Sequence, residues 1–532
     1  MITAKQRYDT LRSTRDDFLQ QGIKAAKLTL PYILKDDDDD STHKNLQTPW
    51  QSVGAKGVVT LASKLMLSLL PVNTSFFKLQ MDESQLMKYN MDPQIKSDLD
   101  LTFAKIERTL MESISHSDDR VVVHQALKHL VVSGNALIYM AKDKLKLYPL
   151  NRYVVQRDGM NNITEIVTRE RISKDLVQDM LPPELAEKNP NHPANQDSQG
   201  THPNEVDVYT RVVRDGARYK WHQEIMGKIL PNSRGSSSVE TTPWIPLTFN
   251  KVDNEAYGRG RVEEFIGDLK SLEGLSQAIC EGSAAAAKVV FTVSPSSTTK
   301  PQALAAAGNG AIVQGRPDDI GVVQVGKTAD FSTAYNMIQQ LEKRLSEAFL
   351  ILSVRNSERT TAEEVRLTQM EIEQQLGGLF SQLTVEFLVP YLNRKLSVFQ
   401  KAKKIPTLPK DMVKPTIVAG VNALGRGQDR EALTQYLTTI AQTMGPEAIA
   451  TYVNPEEVVK RLAAAQGIDV LNLVKTKEQL QGEQEQQAQQ AQQMEMTKQA
   501  GKLADVNVKQ QQLQNDNTTQ ADAPTVQTEG QS

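Results

Sequence analysis

Along the first half of the chain the spacing of apolar residues changes from helical to alternating. The opening stretch, MITAKQRYDTLRSTRDDF, is polar and helical in character, and it runs by residue 45 into a loop that carries the acidic run Asp36–Asp40. Within TPWQSVGAKGVVTLASKLMLSLLPVNTSFFKL (48–79), Val53, Leu61, Leu65 and Leu69 recur at helical spacing with polar residues between them. Further helices are predicted near Ile95–Ile114 and Arg120–Val132, and SGN at 133–135 breaks the pattern. The runs ALIYMA, KLKLYPL, RYVVQRD and ITEIVTRERI alternate and are rich in β-branched residues, so they predict strands, with Gly159–Asn162 as a hairpin turn. A helix-like piece, SKDLVQDM, a polar loop over 188–204, two more strands (EVDVYTRVV and ARYKWHQEI) and a loop, GSSSVETTP, complete a mixed half.

The second half is dominated by longer helical patterns. Residues 258–291 read as one helix-like stretch, followed by an insert over 292–330 that contains Pro and Gly. A second helix is predicted from Phe331 to Leu352, where Ile338, Leu341, Leu345, Phe349 and Leu352 repeat at three- and four-residue spacing. The short polar loop SVRNSER leads to Thr361-Ala-Glu-Glu364, a capping-box pattern that starts a long helix reaching about Lys403, with a kink expected at Pro390. A compact helical piece is expected over 405–475. From Thr476 the chain is Gln-rich and poor in aromatics, so it cannot bury enough apolar surface to offset its ordering entropy, and a helical or disordered tail follows. The fold class implied is α+β, predominantly helical.

Composition adds limits. A chain of 532 residues allows two to four domain-sized units with a sizeable core. The net charge is only −3, so overall charge gives no support to a tight phosphate grip over a large surface, although local basic patches stay open. Cys280 is the single cysteine, which excludes an intrachain disulfide and reads as a small buried side chain. The N-terminal stretch has no apolar segment of the kind a secretory signal carries. Val53–Leu70 approaches the length of a membrane span, but Lys56 and Lys64 lie away from its ends, so a buried or interface helix is expected and no membrane role.

No catalytic or metal-binding constellation emerges, and no cofactor is implied. Gly310–Gly315 has the glycine spacing of a phosphate loop, yet Arg316 stands where the lysine would be and Pro317 removes an N–H. His124 and His129 are five apart on a predicted helix and point to different faces, and no histidine cluster has metal-ligand spacing. Consecutive carboxylates at Asp36–Asp40 lack the alternate spacing of a calcium loop. Glu263, Glu264, Asp268, Glu273 and Glu281 fall on one helix without any pair being singled out as catalytic. A structural, non-enzymatic protein is expected.

Several long strings carry a resemblance. TPWQSVGAKGVVTLASKLMLSLLP (48–71), HQALKHLVVSGNALIY (124–139), NRYVVQRDG (151–159), YGRGRVEEFIGDLKSLEGL (257–275), GRPDDI (315–320), TAEEVRLTQMEIEQQLGG (361–378) and NALGRGQDREAL (422–433) resemble, in order, the portal (head-to-tail connector) family of short-tailed, Autographiviridae-type phages. The likeness covers about residues 45–435; the N-terminus and the Gln-rich tail match poorly. It implies a ring, normally of twelve subunits, at one capsid vertex, through which double-stranded DNA is packaged and ejected. It also implies a wing (1–257), a first stem helix (258–291), a clip (292–330), a second stem helix (331–352), a tunnel loop (353–360), a long wing helix (361–404), a crown (405–475) and a flexible tail (476–532). The implied partners are the terminase large subunit, tail adaptor or nozzle proteins, and the major capsid, scaffold and internal core proteins. Assembly in the host cytoplasm and residence in the virion follow from the same likeness.

A DNA conduit has a particular electrostatic requirement. Each phosphate held by Lys or Arg releases counterions and adds affinity, and strong affinity would stall movement. The first stem helix fits a weakly repulsive lining, because its acids outnumber Arg261, Lys270 and Lys288; Glu263, Glu264, Asp268 and Lys270 are its candidate channel-lining residues. Twelve copies would carry roughly −36. The alternative is an ordinary solvated or subunit-facing helix side. In the tunnel loop, Arg355, Asn356 and Arg359 either touch DNA phosphate or pair between subunits, with Glu358 beside them. In the clip, Arg316, Asp318 and Asp319 either dock partner proteins or form a charged turn. The rival functions are another ring-forming head-tail adaptor, a motor ATPase, and a generic helical virion scaffold.

Overall fold

The computed structural model describes residues 2–35, 46–71, 75–81, 93–173, 205–286, 290–308, 311–323, 328–351, 377–406, 413–417 and 421–445, with residues 453 and 458. The acidic run, SKDLVQDM, the polar loop, Arg355, Asn356, Arg359, the capping box and the Gln-rich tail lie outside them. Among the described residues the fold is mixed helix and sheet, 51% helical. The chain divides into Met1–Gly425 and Arg426–Ser532.

Helix α1 (Ala4–Lys27) begins with a capping box, in which Thr3 Oγ1 accepts from the Gln6 amide and Gln6 Oε1 accepts from the Thr3 amide. Helix α2 (Val53–Leu69) buries Gly57, Val58, Leu61, Ala62, Leu65 and Leu69 along one side. After strand β1 (Phe77–Met81) come α3 (Pro93–Ser115) and α4 (Asp119–Ser133). Gly134, at φ 75°, ends α4 in the left-handed conformation that glycine adopts without a Cβ clash.

Strands β2 (Asn135–Met140), β3 (Leu145–Tyr148), β4 (Tyr153–Arg157) and β5 (Ile163–Ser173) follow, as the alternation predicts. The β4–β5 hairpin closes at the expected turn: Asp158 accepts from the amides of Met160 and Asn162, and Asn161 sits at φ 64°. Strands β6 (Glu205–Asp215), β7 (Arg218–Ile225), β8 (Lys228–Ile229), β9 (Gly235–Ser238) and β10 (Trp244–Thr248) complete the sheets. One antiparallel sheet runs β10-β2-β3; another runs β4-β5-β6-β7-β8, with β9 also on β7. Strand β9 lies where a loop was expected. Gly235 permits it, since a Cβ there would come 2.2 Å from the Trp221 ring. Trp244 pairs with Tyr139 across β10 and β2, their rings 4.3 Å apart.

The helical stretch expected over 258–291 is two helices, α5 (Arg261–Glu264) and α6 (Ile266–Ala286), interrupted at Phe265. Its predicted end is a strand instead: β11 (Val290–Val293) pairs antiparallel with β12 (Ile320–Val323), so the β-branched pair at Val290 and Thr292 outweighs the preceding alanine run. Between them lies the short helix α7 (Pro301–Ala306). Helix α8 (Thr328–Ala348) starts three residues before the expected Phe331, and its helical turn gives out at Leu350, φ 56°. Residues 377–383 are helical, Thr384–Leu388 form a π-turn, and α9 spans Val389–Lys401. The irregularity expected from Pro390 is therefore a π-turn immediately before it, which accommodates the missing proline N–H.

The piece expected to be wholly helical over 405–475 contains β13 (Val413–Ile417), paired antiparallel with β1, and then helix α10 (Val421–Met444). In the first unit a continuous core joins α1, α2, α4 and the three-stranded sheet to the first turns of α6, the last turns of α8, and α9.

Candidate functional site

Two helices, α6 and α8, lie side by side and carry the small insert between them. Leu269 and Leu272 on α6 and Leu341 and Leu345 on α8 are buried, which accounts for the pairing. At their root the chain meets the core through three glycines. Asn135, fully buried, donates through Nδ2 to the carbonyl of Gly258 at 2.6 Å, and its Oδ1 accepts from the Gly258 amide at 2.8 Å. Gly134 and Gly260 pack backbone against backbone: a Cβ on Gly134 would lie 2.5 Å from Arg259, and one on Gly260 would lie 2.6 Å from the Val132 carbonyl. The sequence strings SGN and GRGR thus meet at one junction. Read alone, SGN signalled only a helix break.

The acidic residues proposed to line a channel are engaged within the chain. Glu263 pairs with Arg259 at 2.7 Å, and Arg259 also pairs with Glu255; the Glu255 hydrogen bond above all, with the charge of both carboxylates, raises the Arg259 pKa, and its guanidinium lies over the Phe18 ring. Glu264 accepts from Arg261 at 2.6 Å and from Asn250. Asp268 reaches across to Arg344 on α8 at 3.1 Å. Glu273 accepts from the amides of Trp50 and Gln51, tying the approach to α2 onto α6. Lys270 is exposed. The acid excess of this helix is thus matched by donors of the same chain rather than left as a free negative face.

Cys280 is exposed on α6, contrary to the buried side chain expected of it. Small size permits burial but does not require it, and no other element of the described residues covers this side of α6.

In the insert, Arg316 and Asp318 are exposed and Asp319 is half-buried. Asp319 is built into the turn: its carbonyl accepts from Ser294 at 3.0 Å, its carboxylate from the Thr298 amide at 3.3 Å, and its amide donates to the Arg316 carbonyl. Gly315 lies directly over Thr299, where a Cβ would sit 1.9 Å from Oγ1. Pro317–Asp319 form a single 3-10 turn that leads into β12. No α-helix N-terminus follows the glycines, and such an N-terminus is what a phosphate loop needs.

Of the histidines, His124 lies half-buried with Nε2 3.2 Å from Ser63 Oγ, and burial, with Lys128 nearby, lowers its pKa. His129 is buried in the core, and burial pushes its pKa down to about 4. Among the described residues no group of His, Cys, Asp and Glu is arranged to hold a metal ion, and no helix is long and apolar enough to cross a membrane.

The family described as bacteriophage head to tail connecting protein matches residues 2–472, a longer span at both ends than the 45–435 covered by the quoted strings. The chain is 37% identical over 489 residues to the portal protein of Escherichia phage T7, covering 90% of this chain and 89% of that one. It is 37% identical over 490 residues to the portal protein of Enterobacteria phage T3, with the same coverage, and 27% identical over 433 residues to that of Enterobacteria phage SP6, covering 81% of each. Among solved structures, one from the neck of an empty GTA particle aligns with 79% of this chain and 90% of its own at 12% identity and a TM-score of 0.38, so the assignment rests on the sequence relatives.

Proposed function

The chain belongs to the bacteriophage head to tail connecting protein family, and from that premise we propose that it is a portal subunit at the capsid vertex. The observation that carries this reading is 37% identity to each of two portal proteins over nine-tenths of the chain. The helix pair rooted in a mixed wing and tipped by a small β-insert supports it. The working form is a closed ring, with twelve subunits as the expected number, whose channel passes double-stranded DNA inward during packaging and outward at ejection.

In this reading the chain is structural and carries no catalysis of its own. Energy for packaging comes from a motor that docks on the ring, and the insert is the docking part. Arg316 and Asp318, exposed on its turn, are the side chains offered to the terminase large subunit and later to the tail adaptor, while Asp319 holds the turn's shape. Arg355, Asn356 and Arg359 are the residues offered to DNA. Glu263, Glu264 and Asp268 serve the ring by holding the helix pair on its root, and the net charge of −3 per copy keeps the assembly weakly repulsive to DNA overall. Capsid, scaffold and internal core proteins are the partners expected around the rim.

Phage assembly without this chain tests the proposal. Heads that remain free of DNA and tails, restored by supplying the chain in trans, are expected. DNA-filled, tailed particles formed in its absence would overturn it.

A further inference from the structure

In the sequence Lys64 is only a charge that spoils a membrane span; in the structure it has a partner. Its ammonium donates to the carbonyl of Leu350 at 2.6 Å, just past the end of α8. Arg261, at the start of α5, donates to the Ala348 carbonyl at 3.3 Å. Both carbonyls lie at the C-terminal, negative end of the α8 dipole, where cations are favoured. Two aromatic rings lie beside Arg261. The Arg261 guanidinium sits 5.0 Å over the Phe265 ring, and the Phe265 ring centroid is 6.0 Å from that of Phe349. Phe349, fully buried, fills a notch on α2 where Gly57 has no side chain; a Cβ there would lie 2.6 Å from the ring. Gly57 and Lys64 are seven residues apart, two helical turns along one face of α2.

We propose that Lys64 and Arg261 are positioning residues that clamp the C-terminal carbonyls of α8 from two sides, so that the chain leaves this helix at one fixed place against the core. The proposal rests on the portal reading for its purpose: in a ring, each copy must start the segment carrying Arg355 and Arg359 from an equivalent point if those residues are to meet DNA in equivalent ways. Burial lowers the pKa of Lys64, the effect of taking its ammonium partly out of water.

Hydrogen exchange of the full chain, followed by mass spectrometry, tests the clamp in K64M, K64R, R261M and R261K. The amides of Phe349, Leu350 and Ile351 all bond back into the last turn of α8 and report its opening. Exchange over 346–351 at least tenfold faster in K64M and R261M, with α2 and the body of α6 unchanged and the rate restored in K64R, is expected. Exchange equal to wild type, or raised evenly through α2, α5 and α6, would overturn the clamp, because the side chains would then contribute only general packing. Native mass of the wild-type chain reads the portal reading separately: failure to close rings sinks that reading, while localised exchange in K64M still upholds the clamp.

Discussion

Asn135 and Gly258 hold one another through both ends of an amide: the side chain of one donates to and accepts from the backbone of the other, across 123 residues of sequence. A third bond, from Asn135 Nδ2 to the Ser133 carbonyl at 2.9 Å, fixes the side chain in this pose. Removing the amide strands the Gly258 N–H and carbonyl in a buried site. Asn135→Ala should lower stability by about 2–4 kcal/mol in urea unfolding. Asn135→Asp, which presents an oxygen to two carbonyls, should be no better.

A second buried relationship links α4 to α9. Asp119, 1% exposed, accepts from Lys395 at 2.6 Å and from the Tyr391 hydroxyl at 2.6 Å, and burial, with the nearby carboxylate adding to it, raises the tyrosine's pKa well above its ordinary value. Lys395→Met leaves a buried carboxylate without its cation and should cost about 3–5 kcal/mol. The double variant D119N/K395M should recover most of that loss, and a thermodynamic cycle over the four proteins checks it. Additive losses would show that the pair does not act as a unit.

The aromatic plug at the end of α8 is sensitive to volume. Gly57→Ala pushes a methyl into the Phe349 ring and should cost about 1–3 kcal/mol. Combining it with Phe349→Leu should cost less than the sum of the two single changes, as calorimetry of the three variants would show.

His129 makes stability depend on acidity. Its folded pKa is lowered to about 4 by burial, below the ordinary histidine value, so between those limits the unfolded chain binds the extra proton. The contribution is fully present above about pH 6.5 and is lost as pH falls toward 4, amounting to ~3 kcal/mol. Urea midpoints measured from pH 7 to 4.5 should fall more steeply in the wild type than in His129→Leu.

Much of this architecture is legible in the sequence where one physical rule dominates. Helical spacing in Val53–Leu69 reflects one face buried and the other less so, while the β-branched run Ile163–Ser173 forms a strand covered on both faces over Glu165–Thr168, and both elements form where expected. Reading is poorer where a distant partner decides. Val413–Ile417 contains Pro415 and becomes a strand only because β1 lies beside it, and Gly235–Ser238 is a strand because β7 offers its edge. The family likeness is legible in long strings, whereas the junction is not: neither Asn135 nor Lys64 carries a local pattern, since each acts on a backbone far along the chain. The acids of α5 and α6 were visible as a charge excess, but the donors to Asp268 and Glu273, Arg344 and the amides of Trp50 and Gln51, come from other elements.

The exposed ion pair between Asp268 and Arg344 belongs at the other end of the energy scale. Arg344 is mostly solvent-accessible, so Arg344→Ala should change stability by no more than about 1 kcal/mol, and less at high salt. Thermal unfolding in low and high salt checks this.

The central claim, a ring-forming portal subunit, is tested most directly by negative-stain electron microscopy of the purified chain with native mass for the subunit count. Closed rings near twelve copies, with a central hole wide enough for duplex DNA, are the predicted result. A monodisperse monomer across salt and protein concentration would contradict it.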